Sequence, residues 1–459
     1  MRKLLLLALA ASSLAAITGC DYRSVSRGWS GAELKAATNI IQTAGIPAGL
    51  KGLEVDNRFG TVHITGTDTG STGWTWKLMV RARTESVAQQ IANGTTCKTE
   101  ADGDHLKLVV LLPVTREPSS IQSDFEIIVP KSAAIKAQNG FGRVEIADLA
   151  GDVETTDENG RVEIRNIGGS VRARTSFDTL SVSNTGPATL KNQNGEIRAI
   201  GIGGPLEANT SFAPLVARDI RGPATLANQN GRIEAAAIGG LLSAGTSFDS
   251  LVAKDIAGAA TLHNQNGRIE ASGIGGGLEA KTSFDSLVAR EIGGPVHLRD
   301  QNGSIKIVQG RGDADIETSF DSLSVEGIQG DAILRNQNGR VLASGITGSV
   351  NASTSFAELE VKGAGAKFVC HNQNGAIRLR ATSTALKNIE AKTSFDTLEV
   401  HLPAGLKPAI QARTTFAEIE SDFPVLMKPH GENPFAEATP DMAQITLQNQ
   451  NGKVAVVRD

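Results

Sequence analysis

Charged side chains recur at fixed positions in this chain, and their spacing is what could give it a binding chemistry. Three positions before the asparagine of successive Asn-Gly pairs the residue is mostly basic, at Lys191, His263, Arg299, Arg335 and His371. The position directly after a repeated phenylalanine is mostly acidic, at Asp178, Asp249, Asp285, Asp321 and Asp396. Such a periodic surface could recognise a repetitive polymer, for example an envelope glycan. Alternatively, these side chains only solvate the surface, and each Asp accepts hydrogen bonds from nearby backbone.

These positions follow from a repeat in the chain itself. Thr-Ser-Phe recurs with its phenylalanine at 177, 212, 248, 284, 320, 356 and 395, and a Thr-Thr-Phe adds Phe416. Asn-Gly pairs have their glycines at 160, 195, 231, 267, 303, 339 and 375, in steps of 35 or 36 residues. The two halves of one repeat also align, since residues 229–240 match residues 247–258. The fundamental unit is therefore 18 residues, and the 36-residue repeat is its doubled form.

The pattern inside one unit predicts short β-strands. Aliphatic residues alternate with polar ones over four to six positions, which is typical of strands and not of helices. Asn-Gly is a strong turn signal, and the constant step leaves no room for loops of variable length. We therefore predict an all-β fold, a parallel β-solenoid of 18-residue coils paired into 36-residue repeats over residues 136–420. A coil of 36 residues and an antiparallel sandwich are the alternatives.

The repeated phenylalanine aligns with the asparagine of Asn-Gly in the other half of the repeat. We expect its ring to be buried at a corner of the coil, in the space that the glycine of the neighbouring coil leaves open. This interpretation predicts that Phe284→Ala destabilises the fold more than Asp285→Ala.

The strict repetition argues against catalysis, because an active site needs one unusual locus. Asp residues of alternate coils would lie about 9.6 Å apart, a loose match to the carboxylate pair of a glycosidase. His263 and His371 are three double repeats apart, too distant to share a metal ion. The sequence also lacks CxxC, HExxH and GxxxxGK[ST] motifs and the calcium-binding nonapeptide. We predict no catalytic residue, no metal site and no cofactor.

The first twenty residues have the features of a secretion signal. Arg2 and Lys3 precede an apolar run over residues 4–17, which is too short to span a bilayer. The following Ile17-Thr18-Gly19-Cys20 resembles the lipobox of bacterial lipoproteins. This resemblance implies that Cys20 becomes the lipidated N-terminus and anchors the chain to a membrane. An ordinary signal peptide in which Cys20 is incidental is the alternative.

The organisation predicted from the sequence has five parts. They are a lipoprotein signal peptide (1–20), a tether with a short helix around residues 33–43 (21–48), an N-terminal β cap (49–135), the solenoid (136–420) and a C-terminal cap (421–459). Caps are expected because the open end of a solenoid exposes unpaired backbone groups.

Composition agrees with a narrow β-repeat body. The chain of 459 residues has 50 Gly but only one Tyr and three Trp. So few Tyr and Trp residues argue against sugar recognition by aromatic stacking. Its net charge of −4 gives no general attraction to nucleic acid. Cys97 and Cys370 are interpreted as small apolar side chains, and a disulfide between them is the alternative.

Several strands resemble the bacterial "putative adhesin" family, described as toast-rack β-strand repeats of unknown function. The resemblance rests on Leu53-Glu54-Val55, Gly60-Thr61-Val62-His63-Ile64, Ile127-Ile128-Val129-Pro130 and coils such as Gly142-Arg143-Val144-Glu145-Ile146. It covers about residues 50–459 and departs from the family where phenylalanine replaces the usual glycine. The resemblance implies an envelope-exposed protein, often anchored to a membrane, and brings no catalytic residues.

The sequence therefore predicts a non-catalytic lipoprotein of the bacterial cell envelope, facing the periplasm or the exterior. It would be an adhesin-like rod, structural or binding an envelope glycan or envelope protein, and a monomer. One alternative is an envelope-stress scaffold or sensor that binds a protein partner. A second alternative is a β-helix polysaccharide lyase or hydrolase.

Overall fold

The computed structural model describes residues 34–47, 49–424 and 442–459. The predicted signal peptide, Cys20 and part of the predicted tether lie outside these residues. The chain divides into two compact units, Met1–Ala213 (unit 1) and Pro214–Asp459 (unit 2). Both are almost entirely β-structure.

Unit 1 contains sixteen strands and one helix within the described residues. In chain order they are β1 (Ala36–Gly45), β2 (Gly52–Asp56), β3 (Phe59–Thr67), β4 (Gly73–Ala82), α1 (Glu85–Gly94), β5 (Thr96–Asp102), β6 (His105–Leu111), β7 (Ser119–Pro130), β8 (Ala134–Asn139), β9 (Phe141–Leu149), β10 (Val153–Asp157), β11 (Arg161–Ile167), β12 (Val171–Thr175), β13 (Leu180–Thr185), β14 (Ala188–Asn192), β15 (Ile197–Ile202) and β16 (Leu206–Thr210).

Unit 2 contains the remaining strands of the described chain. They are β17 (Leu215–Ile220), β18 (Ala224–Asn228), β19 (Ile233–Ile238), β20 (Leu242–Thr246), β21 (Leu251–Ile256), β22 (Ala260–Asn264), β23 (Ile269–Ile274), β24 (Leu278–Thr282), β25 (Leu287–Ile292), β26 (Val296–Asp300), β27 (Ile305–Gly310), β28 (Ala314–Thr318), β29 (Leu323–Ile328), β30 (Ala332–Asn336), β31 (Val341–Ile346), β32 (Val350–Thr354), β33 (Leu359–Gly363), β34 (Lys367–Asn372), β35 (Ile377–Ala381), β36 (Asn388–Lys392), β37 (Leu398–Leu402), β38 (Pro408–Arg413), β39 (Ile419–Ser421), β40 (Ala443–Gln448) and β41 (Val454–Arg458).

Each regular coil places one strand in each of two parallel sheets. In unit 2 the odd-numbered strands form sheet 1 and the even-numbered strands form sheet 2. Paired residues of neighbouring coils are 18 positions apart, as for Val162 and Leu180 in unit 1 and Leu251 and Ile269 in unit 2. The predicted parallel β-solenoid with 18-residue coils is therefore confirmed.

The core lies between the two sheets and consists of small and medium aliphatic side chains. In one coil of unit 2, Leu251, Ala253 and Ile256 point inward from sheet 1, while Ala260 and Leu262 do so from sheet 2, and all five are buried. The intervening residues point outward, as period-two geometry requires. Each buried Leu or Ile contributes about 1.5–3 kcal/mol, and the register aligns them in continuous ladders.

A left-handed residue interrupts the alternation in most sheet 1 strands. Asn184 of unit 1 and Ala237 and Glu291 of unit 2 have φ of 54°, 54° and 56°. The left-handed residue gives two successive outward positions before the last inward residue, so the strand bends toward the next corner. Sequence reasoning missed this column, although most of its members are Asp, Asn or Gly, the residues that adopt positive φ most readily.

The N-terminal end of unit 1 departs from sequence order. Sheet 1 has the spatial order β1-β4-β7-β3-β9-β11-β13-β15, and sheet 2 has the order β5-β6-β2-β8-β10-β12-β14-β16. Antiparallel strands β1, β4 and β5 therefore end the parallel stack. The helix expected around residues 33–43 is wrong, since Ala36–Gly45 forms β1 along β4. Its Ile40 lies opposite Leu78, and this pairing supplies the backbone bonds that an isolated helix would have made internally.

The C-terminal end of unit 2 also departs from sequence order. Strand β40 lies between β36 and β38, and β41 lies between β37 and β39. Residues 442–459, which the sequence assigned to a C-terminal cap, thus form a coil inserted between two coils that precede them in the chain. Within the described ranges, no helix has the length and apolar character needed to cross a membrane.

Candidate binding surface

The corner that follows each sheet 2 strand is the most strongly repeated feature of both units. We call it the Asn/Thr corner, after the buried residue that ends the strand. In unit 2, the side-chain amide of Asn336 donates to the carbonyl oxygen of Asp321 in the preceding coil at 2.6 Å. Its Oδ1 accepts from the backbone N–H of Gly339 at 2.9 Å. One amide therefore closes its own turn and ties it to the previous coil.

Threonine occupies the same place in alternate coils. Thr354 donates through Oγ1 to the carbonyl of Gly339 at 2.8 Å, and in unit 1 Thr210 makes the same bond to Gly195 at 2.8 Å. Both threonines are buried. The first Asn of Asn-Gln-Asn-Gly and the Thr of Thr-Ser-Phe are therefore structural, and they explain why these two motifs alternate along the sequence.

The glycine of Asn-Gly is required by close packing and not by a left-handed backbone. A Cβ atom at Gly339 would overlap the carbonyl oxygen of Asp321. The same overlap occurs at Gly195 of unit 1 with the carbonyl of Asp178. The corners of the two neighbouring coils are thus in direct backbone contact.

Two corners have aspartate in place of the buried asparagine. In unit 2, Asp300 Oδ1 accepts from Gly303 N–H at 3.0 Å, but its buried Oδ2 has no hydrogen-bond partner. Burial raises the pKa of the Asp300 carboxyl. In unit 1, Oδ2 of Asp157 accepts from the side-chain amide of Asn139 at 3.1 Å, so this aspartate is satisfied.

The repeated phenylalanines are exposed, which corrects the expectation of buried rings. In unit 2 the exposed fraction is 61–63 % for Phe248, Phe284, Phe320, Phe356 and Phe395 and 77 % for Phe416. Phe177 and Phe212 of unit 1 are exposed to the same degree. In the coils of the Thr-Ser-Phe motif the inward position at the corner is already taken by the buried Thr, two residues before the ring. The six rings of unit 2 are called the Phe column below.

An asparagine lies between successive rings of the Phe column. Asn266, Asn302, Asn338 and Asn374 hold this position, and each donates to the carbonyl of a serine in the preceding coil at 3.0–3.2 Å. The inserted C-terminal coil continues the pattern, since Asn451 lies between Phe395 and Phe416. The amides are held against the backbone, so the rings project beyond them.

The predicted basic residues lie on the outer face of sheet 2. His263, Arg299, Arg335 and His371 share one register position in unit 2, and Lys191 holds the corresponding position in unit 1. The intervening coils of unit 2 place Lys281, Glu317, Ser353 and Lys392 at the same position, so the column is not uniformly basic.

Much of this basic character is neutralised within the chain. Arg299 contacts Asp315 at 2.6 Å and Glu317 at 3.5 Å, while Arg335 contacts the same Asp315 at 2.9 Å. Burial acts to raise the pKa of the Asp315 carboxyl, but its bonds to the two guanidinium groups outweigh burial and hold the pKa below its usual range. His371 lies 3.7 Å from Glu390.

The predicted acidic residues lie at the corner itself, next to the Phe column. In Asp249, Asp285 and Asp321, Oδ1 accepts from the N–H of the following serine at 2.6 Å. The carbonyls of Asp249 and Asp321 also accept from the asparagine of the next coil. These contacts are the local backbone role that the sequence offered as the alternative to ligand binding.

Both cysteines of the described chain are free thiols. Cys370 is buried and Cys97 is half-buried, and burial raises the pKa of each thiol to about 12. Among the residues that the structure describes, no group of three or more His, Cys, Asp or Glu side chains is placed to hold a metal ion.

Unit 1 has a surface groove of about 570 Å³ beside the hairpin β5–β6. Its lining includes the ion pair of Lys107 with Glu54 at 2.9 Å and the acidic residues Glu100 and Asp102. Sequence reasoning did not identify this groove, because its lining combines β5, β6, β2 and β8, which the irregular strand order brings together, with residues of β10 and β12.

Three solved bacterial structures resemble this chain in fold. No family model matches the chain, and no curated protein matches it. A "putative adhesin" from Bacteroides fragilis is 16 % identical over 49 % of this chain and 96 % of its own, with a TM-score of 0.28. A "putative cell adhesion protein" from Clostridium sporogenes is 11 % identical over 37 % and 98 %, with a TM-score of 0.23. A "putative adhesin" from Parabacteroides merdae is 11 % identical over 73 % and 95 %, with a TM-score of 0.17. The chain is thus similar to bacterial structures described as adhesion proteins, and this similarity concerns the fold alone.

Proposed function

We propose that this chain is a non-catalytic, lipid-anchored protein of the bacterial cell envelope that presents a repetitive binding surface, in the manner of an adhesin. The observation that carries the proposal is the Asn/Thr corner, which repeats the same hydrogen bonds from coil to coil. Because neighbouring coils are alike, their outer faces offer a ligand many similar contacts. A polymer with its own repeat, such as an envelope glycan, or an envelope protein with a flat surface would suit such a site.

The charged residues on the outer face of sheet 2 are the proposed contacts. His263 of unit 2 and Lys191 of unit 1 each make no ion pair with a described residue, so each can contact a ligand. Arg299 and Arg335 would contribute less, because Asp315 already occupies both.

Binding to an array of envelope polysaccharides and envelope proteins tests this function, with the full chain in detergent. His263→Ala should weaken binding several-fold, whereas Lys254→Ala on sheet 1, also an exposed basic residue, should not. Binding unaffected by His263→Ala, or turnover of any saccharide, contradicts the proposal.

Membrane attachment is tested separately through Cys20. A fatty-acid label should appear on the native chain and be absent from Cys20→Ser. A labelled Cys20→Ser chain would show that the lipid lies elsewhere.

The groove of unit 1 favours one second candidate, a scaffold that binds a protein partner through its N-terminal region. Glu100→Lys with Asp102→Lys would then abolish capture of that partner, while Glu207→Lys with Glu163→Lys on other strands of unit 1 would leave it intact. Capture unaffected by the first pair would exclude this candidate.

A further inference from the structure

We propose that the Phe column pairs with the Phe column of a second copy of this chain, with the two copies side by side and parallel. The column comprises Phe248, Phe284, Phe320, Phe356, Phe395 and Phe416 of unit 2. It goes beyond the binding surface proposed above, because it lies at a corner and uses the outer face of sheet 2 only at its edge, through Lys281 and Lys392.

The first observation is the regular exposure of an apolar side chain. The rings occupy one register position in every second coil, which spaces them about 9.6 Å apart. A soluble surface tolerates single exposed apolar residues, but six of them aligned at one register position make a larger exposed apolar surface, which marks an interaction site. Asparagine holds the same position in the intervening coils, so the fold itself does not need the ring.

The second observation is the exposed area. With about three-fifths of each side chain exposed, six rings offer roughly 700 Å² of surface. A stable protein interface buries about 800 Å² on each partner. The column and the residues at its edges therefore reach the size of such an interface.

The third observation is the distribution of charge on the two sides of the column. In the coil of Phe284, Lys281 lies on the sheet 2 side and Asp285 on the sheet 1 side, and both are exposed. The coil of Phe395 repeats this with Lys392 and Asp396.

This charge distribution selects the parallel arrangement. A two-fold axis along the column places the sheet 2 side of one copy against the sheet 1 side of the other at the same height, so that Lys281 faces Asp285 of the second copy. An antiparallel pair would instead place sheet 2 sides together and oppose like charges. The coil of Phe320 has Glu317 and Asp321 on its two sides, but Arg299 already pairs with Glu317.

The proposal replaces the monomer expected from the sequence. Its central test is the oligomeric state of the full chain in detergent, measured by sedimentation velocity over a range of concentrations. We expect a dimer that the triple variant Phe284→Asn, Phe320→Asn and Phe356→Asn converts to a monomer. Asparagine is chosen because it occupies this position in the intervening coils, which keeps the variant folded.

A matched control removes exposed apolar surface elsewhere in unit 2. Leu241 is 62 % exposed and Ile333 is also exposed, and neither belongs to the column. Leu241→Asn with Ile333→Asn should leave the dimer intact. A chain that is monomeric at all concentrations, or a dimer that survives the triple Phe variant, overturns the proposal.

Orientation is tested by cross-linking single cysteines in the column. In a parallel pair every column position faces itself, so Asn266→Cys and Asn374→Cys should each give a covalent dimer with a short bis-thiol reagent. An antiparallel pair can join at most one of the two positions. Cross-linking at only one position would overturn the parallel arrangement.

A charge exchange gives an independent measurement. Lys281→Glu alone and Asp285→Lys alone should each weaken the dimer several-fold, and the double variant should restore it.

A glycan is the other occupant that the experiments can detect. If the chain is a monomer that binds a linear polysaccharide, and the triple Phe variant no longer binds that polysaccharide, the occupant of the Phe column is a glycan and the proposal is wrong.

Discussion

The side-chain amide of Asn336 and the backbone carbonyl of Asp321 form a 2.6 Å hydrogen bond that joins two consecutive coils of unit 2. The equivalent atom of Asp300, two coils earlier, is a carboxylate oxygen that cannot donate and has no partner. The two corners therefore differ in one side-chain atom, which has a hydrogen-bond partner in Asn336 and none in Asp300.

Asp300→Asn should stabilise the protein by about 1–3 kcal/mol at pH 7, because the new amide can donate to the preceding coil. Burial raises the pKa of Asp300 in the folded state. The folded chain therefore holds the proton of the Asp300 carboxyl more tightly than the unfolded chain does. The free energy of unfolding of the native protein falls as pH rises from the ordinary carboxyl pKa, near 4, through the raised pKa of the folded state. The gain in stability from Asp300→Asn should grow over the same pH range.

Denaturant titrations of both chains at several pH values measure this effect. Asp157→Asn is the matched control in unit 1, since Oδ2 of Asp157 already accepts a bond from Asn139 and an amide there would oppose donor to donor. Equal gains at the two positions would contradict the explanation.

Gly339→Ala should destabilise unit 2 by about 1–3 kcal/mol, because its Cβ would overlap the carbonyl of Asp321. Thermal unfolding measures the change. Gly245→Ala provides the comparison, since the nearest atom to a Cβ there is 3.9 Å away. A similar loss in both variants would show that flexibility, and not close packing, selects glycine at the corner.

Ala237→Gly should stabilise the fold by about 0.5–1 kcal/mol. Its φ of 54° costs an alanine about 1–2 kcal/mol, which exceeds the entropy that glycine loses on folding. The adjacent Ala236→Gly, in ordinary strand geometry, should lose about 0.5–1 kcal/mol instead. If denaturant unfolding gave both variants a change in unfolding free energy of the same sign, the left-handed conformation assigned to Ala237 would be wrong.

Phe284→Ala should change the stability of the dilute chain by less than about 1 kcal/mol, because the ring is mostly exposed. Leu287→Ala, three residues later and fully buried, should cost about 2–5 kcal/mol. Calorimetry of the two variants and of Asp285→Ala checks this order. A large loss at Phe284 would restore the buried-ring interpretation.

Cys97 and Cys370 should resist alkylation at pH 8 in the folded chain, because burial raises the pKa of each thiol to about 12 and suppresses the reactive thiolate. Mass spectrometry of the two peptides measures modification. Denaturant alone, without reductant, should make both reactive. A need for reductant would indicate that the two residues form a disulfide.

The sequence was sufficient for the coil length, because the half-repeats align Ile233 with Leu251 and the structure pairs these residues. It was insufficient for the corner, where both Thr and Phe of Thr-Ser-Phe were available to face inward. The period of two predicts that inward and outward side chains alternate along a strand, but it does not predict the residue at which the chain leaves the strand for the corner. The Thr side chain, which can donate a hydrogen bond to a carbonyl, occupies the buried position, and the bulkier Phe ring does not. Strand order at the ends was also not predictable, because β40 has no sequence marker that separates a following coil from an inserted one.

The inserted coil β40–β41 affects the order in which the coils at this end of unit 2 can fold. Coils of the regular repeat contact neighbours that leave the ribosome one after another, so each can be added as soon as it is made. The outer coil β38–β39 has no parallel neighbour until residues 443–458 arrive between it and β36–β37. This end of the protein must therefore be built after synthesis has passed it, and a chain interrupted before residue 443 would leave the edge of β36–β37 open to pairing with other strands.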